Sequence, residues 1–377
     1  MISYWEQQSF TSYDLVIIGA GITGLSAALE LRKLHQEKRI LILERGLFPS
    51  GASTRNAGFA CMGSLTELLN DLESMPAKVV ADLFARRKAG LELLRERLGD
   101  AAIGYESNGS YELITHKELP ALEKIVMVNK LLEPVTGKPA FRLAPEKTAA
   151  FGFDRGTVLS IVENTCEGEL NTGMMMRALT DLAIGNGIEI KTGIAVTGWE
   201  EKKGRVAVMV KDPVFNTRVA LQCSQLFICT NAFTKTLLPG APLVPGRGQV
   251  LVTEPLSDIP FRGIFHFDQG YYYFRVIDDR ILIGGGRNLD FKKEATTAME
   301  LNDRIQQDLE DKLNRVILPG RVTKVAFRWS GIMAFGDSKQ PVIGKFGNNV
   351  FGAFRLGGMG VALGSQVARD LALLSVQ

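Results

Sequence analysis

The sequence predicts an α/β chain, α+β overall, in which a doubly wound unit of Rossmann type is interleaved with a second domain built on a mixed sheet. Three observations carry that expectation. Residues 14–44 read strand, glycine turn, helix, strand, and that order demands parallel strands. Similar buried apolar runs recur in mid-chain, at 225–230 (QLFICT), and near the end, at 350–354 (VFGAF). Between them, residues 243–254, 271–277 and 280–284 alternate as strands of a largely antiparallel sheet.

The elements follow in order. Residues 3–5 (Ser-Tyr-Trp) begin a polar and aromatic lead-in. The run 14–19 (DLVIIG) is a buried strand, 22–34 a helix with apolar residues at helical spacing, and 39–44 (RILILE) a second strand. A small-residue loop spans 51–63. Helices cover 66–98 with a break at Pro76, then a strand 110–115 and a helix 118–132. A helix over 168–185 leads to a strand at 188–191, and its methionines at 174–176 are packing residues. Residues 205–211 and 218–222 form a hairpin. A helix is expected over 295–313, a strand over 322–329, and a last helix over 360–374.

Composition narrows the function classes. Of 377 residues, 46% are hydrophobic and 23% charged, ordinary for a globular protein and unlike disorder or coiled coil. Lys+Arg 44 against Asp+Glu 41 leaves +3, too balanced for nucleic acid as the main partner. The most apolar stretch, 15–29, is interrupted by glycine and hydroxyl residues and is short for a span of ~20 residues. With no basic region before it, neither a signal peptide nor an integral membrane segment is expected, and a cytoplasmic location is. The four cysteines form no CxxC pair and there are three histidines, so no metal site is expected.

Chemistry enters at Gly19-Ala20-Gly21-Ile22-Thr23-Gly24. Gly19 permits the tight turn, Gly21 lets backbone approach a pyrophosphate, and Gly24 lets helix and strand pack closely. The helix start offers free N–H groups to phosphate. Glu44 stands 20 residues after Gly24, where an acid accepts from ribose hydroxyls. The cofactor is thus FAD or NAD. The loop after Arg45 favours FAD, because Ser53, Thr54, Arg55, Asn56, Ala57 and Gly58 supply small groups and hydroxyls where backbone must lie close to a flat ring.

At this point the chain resembles the D-amino-acid oxidase, glycine oxidase and sarcosine oxidase family of FAD-dependent amine oxidoreductases, over about residues 12–375. Residues 3–5, 51–58 (GASTRNAG), 230–232 (TNA) and 247–249 (RGQ) look most like its gamma-glutamylputrescine oxidoreductase branch. The resemblance implies an FAD-binding domain built from 1–80, 157–240 and 331–377, and a substrate domain from 81–156 and 241–330. It implies that Val196 meets the adenine, and that Thr230, Asn231 and Ala232 lie near ribose and phosphates. Gly357, Gly358, Met359, Gly360 and Val361 would face the flavin pyrimidine edge, where a helix start stabilises negative charge. Tyr272 matches a substrate-binding tyrosine, with Phe274 on its face of the strand and Tyr271, Tyr273 and Arg275 on the other.

Departures from the family pattern shape the rest. Ser330 stands where covalent relatives carry the flavin-linking cysteine, so FAD is expected to be non-covalent. Ala362 replaces a lysine. Met333 stands where an arginine grips the substrate carboxylate, and methionine cannot replace that bidentate contact. The resemblance then implies oxidation of a C–N bond in an amine or amino-acid-like small molecule, by hydride transfer to flavin N5, giving an imine that hydrolyses. Oxygen or another acceptor would take the electrons. Tyr272, Trp329 and Met333 would line an apolar throat for a longer amine, with Arg55 or Arg328 meeting a distal carboxylate. Two other readings stand beside it: an FAD-dependent hydroxy-acid dehydrogenase, disfavoured because no histidine lies between Glu44 and Gly63, and a non-catalytic flavin-binding subunit.

Overall fold

A computed structural model describes residues 2–212, 214 and 216–377. The strand Leu15–Ile18 is wholly apolar and buried on both faces, which suits only a central parallel strand. It pairs in parallel with Ile40–Leu43 on one side and Gln225–Ile228 on the other. The full sheet has six strands in the order 342–345, 350–354, 225–228, 15–18, 40–43, 189–191. One face is covered by the helices Ile22–Leu34, Ala77–Leu98, Thr172–Gly185 and Gly360–Leu374, whose leucines and alanines form one core with the sheet. The other face is covered by a three-stranded antiparallel sheet, Val196–Lys202, Arg205–Lys211 and Arg218–Cys223.

A second sheet of eight strands runs in the order 325–335, 244–253, 280–285, 272–277, 264–267, 110–114, 160–164, 141–143. Its outer face carries the helix Asp303–Lys312 over a core of stacked aromatic rings, among them Phe265 on Phe274 and Phe267 on Tyr272. Its inner face looks toward the carboxyl ends of the parallel strands.

Several elements differ from the sequence expectation. The lead-in is a helix, Tyr4–Phe10, because Ser3 and Glu6 form a reciprocal capping box. The helix expected over 168–185 starts at Thr172, since Gly168–Glu169 pairs instead with Phe59–Ala60 and Asn171 caps the helix. The helix expected over 295–313 starts at Asp303, where the Asn302 side chain accepts from Arg304 N–H, and ends in a π turn at Leu313–Ile317. Strands Ser160–Asn164, Ile264–Phe267 and Val342–Lys345 were not expected. The expected partition also shifts. Ser160–Asn164 and residues 331–335, placed with the nucleotide-binding part, belong to the eight-stranded sheet, since Val325–Phe335 pairs along its length with Val244–Thr253.

Helix Ala77–Leu98 reaches the terminal helix through one small residue. A Cβ on Gly90 would lie 2.1 Å from the Ala362 carbonyl oxygen, which is backbone and cannot yield. Gly90→Val should therefore push the two helices apart and cost about 1–3 kcal/mol. A denaturant midpoint equal to or above that of the wild type would contradict this contact.

Candidate active site

The turn after the first strand has two positions that admit no side chain. Gly19 has φ +103°, and a Cβ there would sit 2.7 Å from the Cys229 carbonyl oxygen. A Cβ on Gly24 would sit 1.8 Å from the Gly19 oxygen. Gly24 therefore sets how closely the helix approaches the strand, and with it where the helix N-terminus points. Glu44 is buried, and its carboxylate accepts from Ala20 N–H at 3.0 Å and Gly46 N–H at 2.9 Å. Those two bonds fix its direction and leave further lone pairs for ribose hydroxyls. Ser53 Oγ accepts from Ile22 N–H at 3.0 Å, so the loop is tied to the first helical turn.

These groups open onto a cavity of about 650 Å³, within the range of small-molecule and cofactor sites. Of the sequence-predicted positions, Gly19, Gly21, Ile22, Thr23, Glu44, Arg45, Ser53, Arg55, Asn56, Ala57, Val196, Thr230, Asn231, Ala232, Met333 and Gly357 to Val361 line it. Asn231 is held by its own side chain, which accepts from Arg355 N–H and so joins the end of one strand to the turn before the terminal helix. Arg45 stacks on Phe233 at 3.5 Å. Met333 bridges the two halves: its Cε lies 2.8 Å from where a Cβ on Gly248 would be, and its Sδ 3.5 Å from that of Gly358.

Other expected residues act at one remove. Ala20, Gly24, Thr54 and Gly58 are not in the wall. Thr54 Oγ1 donates to the Pro49 carbonyl at 2.5 Å and braces the loop. Gly58 has φ +74°, and a Cβ there would strike the Leu170 carbonyl oxygen at 2.2 Å.

The substrate-side expectations need correction. Tyr272 lies on the outer face of its strand, buried, with its ring on Phe267 and its hydroxyl donating to Asp308 at 2.6 Å. Strand alternation therefore turns Tyr271 and Tyr273 inward, and both line the cavity. Trp329 is not in the wall either; its Nε1–H donates to the Arg55 carbonyl at 3.0 Å. Arg55 lines the cavity, but its guanidinium donates to the carbonyls of Ser50 and Ser330, at 3.1 and 3.0 Å. Arg328 is on the outer face, bonded to Gln306 and Glu310.

Phe59, which ends the flavin-facing stretch expected from the sequence, also lines the wall, and residues that the sequence reading passed over complete it: Cys61, Glu67, His266, Arg287, Phe335 and Lys339. Phe59 meets His266 and Tyr273 edge to face, at 5.1 and 5.5 Å between centroids. Burial pushes His266 down to about 4, so its imidazole is neutral, and its Nε2 has no hydrogen-bond partner among the described residues. Lys339 lines the cavity and makes ion pairs to Glu67 at 2.8 Å and Asp71 at 2.7 Å. One signal for the missed positions was present: glycines at 246, 248 and 284 to 286 leave a strip of sheet without side chains. A Cβ on Gly284 would meet the Tyr273 ring at 2.6 Å.

Strand, glycine turn and helix, with a buried acid aimed back at the turn from the next strand, form the site of a dinucleotide cofactor. The family model for FAD-dependent oxidoreductases (DAO) matches residues 14–374, and the chain belongs to that family; it is an FAD enzyme. Among its relatives, the probable oxidoreductase OrdL of Haemophilus influenzae is 21% identical, over 95% of this chain and 82% of the relative. Gamma-glutamylputrescine oxidoreductase of Escherichia coli is 24% identical, over 96% and 83%. L-proline dehydrogenase from P. horikoshii has the same fold, with a TM-score of 0.77 at 16% identity, covering 97% of this chain and 93% of that one.

The residues present fit FAD. Glu44 and the Gly19–Gly24 turn would hold its ribose and pyrophosphate, and the 357–361 turn and the 51–58 loop its flavin end. The thiols in the wall are poor nucleophiles: burial raises Cys61 well above the ordinary thiol range and pushes Cys229 up to about 12. Wild-type protein should accordingly release yellow cofactor into the supernatant on acid precipitation. Gly21→Val, whose Cβ would already be 2.8 Å from Ser53 Oγ, should purify colourless. Colour retained in the pellet, or a flavin-loaded Gly21→Val protein, would contradict this geometry.

Two buried carboxyls brace the wall from behind. Glu167 accepts from Met62 and Gly63 N–H, at 2.5 and 2.9 Å, and from Ser110 Oγ. Glu112 accepts from Ser64 and Thr66. Burial outweighs these bonds and pushes both groups up to about 7. A raised folded-state pKa binds more protons than the unfolded chain, so this stabilisation is full below about 4.5 and lost as pH rises through about 7. Glu112→Gln should flatten the fall in thermal midpoint between pH 5 and pH 8 relative to wild type. An unchanged slope would show that Glu112 is already ionised across that range.

Proposed function

We propose that this chain oxidises a C–N bond of an amine or amino-acid-like small molecule, with FAD held non-covalently. The observation that supports it most is continuity: one cavity runs from the nucleotide turn, at Gly19 and Gly21, to the wall formed by the rings of Tyr273 and Phe59 and the thioether of Met333. FAD, when bound, supplies the two-electron acceptor that C–N oxidation requires. Tyr273, Phe59 and Met333 form a wall that orients an apolar chain and excludes water. His266 offers an unpartnered ring nitrogen to a polar group of the substrate; neutral, it adds no repulsion toward an ammonium. The start of the terminal helix has no side-chain cap and points its first N–H groups toward the 357–360 turn, a fixed positive field at the cavity edge.

The division into an FAD-binding part and a substrate part is kept in this reading, with the boundary at 80/81 moved past Leu98, that at 156/157 past Asn164 and that at 330/331 past Phe335. The hydroxy-acid reading has less support, because His266 lies across the cavity on the substrate sheet and not in the loop after Glu44.

Anaerobic mixing of the flavin-loaded protein with a panel of amines, amino acids and hydroxy acids tests the reading. Bleaching near about 450 nm by at least one amine or amino acid is expected. Bleaching by hydroxy acids alone would replace this reading with its rival.

A further inference from the structure

Three cations stand in the substrate half of the wall, and two are satisfied. Arg55 is bonded to carbonyl oxygens, and Lys339 is paired with Glu67 and Asp71. Arg287 differs. Its guanidinium makes no hydrogen bond and no ion pair with any described residue. It lies instead against two rings, its Cζ 3.9 Å from the Phe335 centroid and 4.8 Å from that of Phe291.

Its position is as informative as its lack of a partner. Arg287 follows the strand Arg280–Gly285 at a left-handed Gly286, which turns the chain back over the sheet. Its Nη1 lies 3.3 Å from where a Cβ on Gly246 would be. Gly246 is the cross-strand partner of Met333. The guanidinium therefore reaches, from two strands away, the strip of sheet beside Met333. A side chain at Gly246 would crowd it there.

A guanidinium cannot shed its proton at any ordinary pH, so a half-buried one without an anion is costly. Ring contacts engage its faces and leave N–H donors that match a carboxylate. We propose that Arg287 binds a carboxylate of the substrate and supplies, from a different strand, the charge that Met333 does not. The proposal rests on the amine-oxidation reading for what the rest of the substrate is, but not for the anion site itself.

The test uses flavin-loaded protein and equilibrium titration with benzoate and its neutral counterpart benzamide, followed by perturbation of the visible flavin spectrum. Wild type should prefer benzoate. Arg287→Gln should bind benzoate about 10–100-fold more weakly, with benzamide unchanged, as for a lost charge-assisted contact. Arg287→Lys should fall between, and Arg328→Gln, on the outer face, should match wild type. Equal benzoate binding in wild type and Arg287→Gln would overturn the proposal, as would a wild type without preference. An Arg287→Gln protein that cannot be loaded with flavin would overturn it too, since the residue would then serve the fold. Should no amine bleach the flavin while the benzoate preference still depends on Arg287, the reaction assignment fails and the anion site stands.

Discussion

Everything in the site depends on the segment 51–58 being pinned between the two sheets. On the nucleotide side, Ser53 Oγ holds the first N–H of the helix Ile22–Leu34. On the substrate side, Trp329 Nε1–H takes the Arg55 carbonyl, and the Arg55 guanidinium returns to the Ser330 carbonyl of the neighbouring strand position. Arg275, buried and paired with Glu169 at 3.2 Å, donates to the carbonyls of Gly58 and Leu170. A buried charge of this kind is weak evidence for net stability, because its desolvation offsets much of its attraction. Its consequence is geometric. It fixes a segment with little apolar side chain of its own at the junction where backbone must approach a flat cofactor.

The same junction explains how legible the protein was before its structure. The nucleotide end is local: the turn at Gly19–Gly24, the acid at Glu44 and the terminal helix Gly360–Leu374 depend on neighbours within a few dozen residues, or on a pattern that one element carries alone. The substrate end depends on which face of a strand is covered. Alternation correctly separated Tyr272 and Phe274 from Tyr271 and Tyr273. It could not say that the helix Asp303–Lys312 would lie over the even-numbered set, and so Tyr272 went to Asp308 and the core while Tyr273 went to the cavity. Trp329 and Arg328 were misplaced for a related reason: their partners, Arg55 and Glu310, come from segments far away in sequence or from a helix whose start the sequence did not mark sharply.

The two faces of the eight-stranded sheet also divide the charge. On the outer face, Arg247 is paired in a bidentate contact with the fully buried Glu294, which Gln249 and Asn302 also bind. Arg328 has Glu310, and the Tyr272 hydroxyl has Asp308. Strand alternation makes this division sharp, because a slip of one residue would turn Arg247, Gln249, Tyr272 and Arg328 to the opposite side, away from their partners on the outer helices.

On the inner face the balance is different. Glu67 and Asp71 are spent on Lys339, with Arg87 3.7 Å from Glu67, and the Arg55 guanidinium is bonded to neutral carbonyls. Neutral His266 adds no charge. With Arg287 lying on aromatic rings, that wall carries more cationic than anionic charge in a half-enclosed, apolar setting, where screening by water is weak. The terminal helix adds its positive end from the opposite side of the same cavity. Two fixed positive fields thus converge on a space whose remaining lining is aromatic and thioether. Such a space favours a ligand that is anionic at one end and apolar in its body.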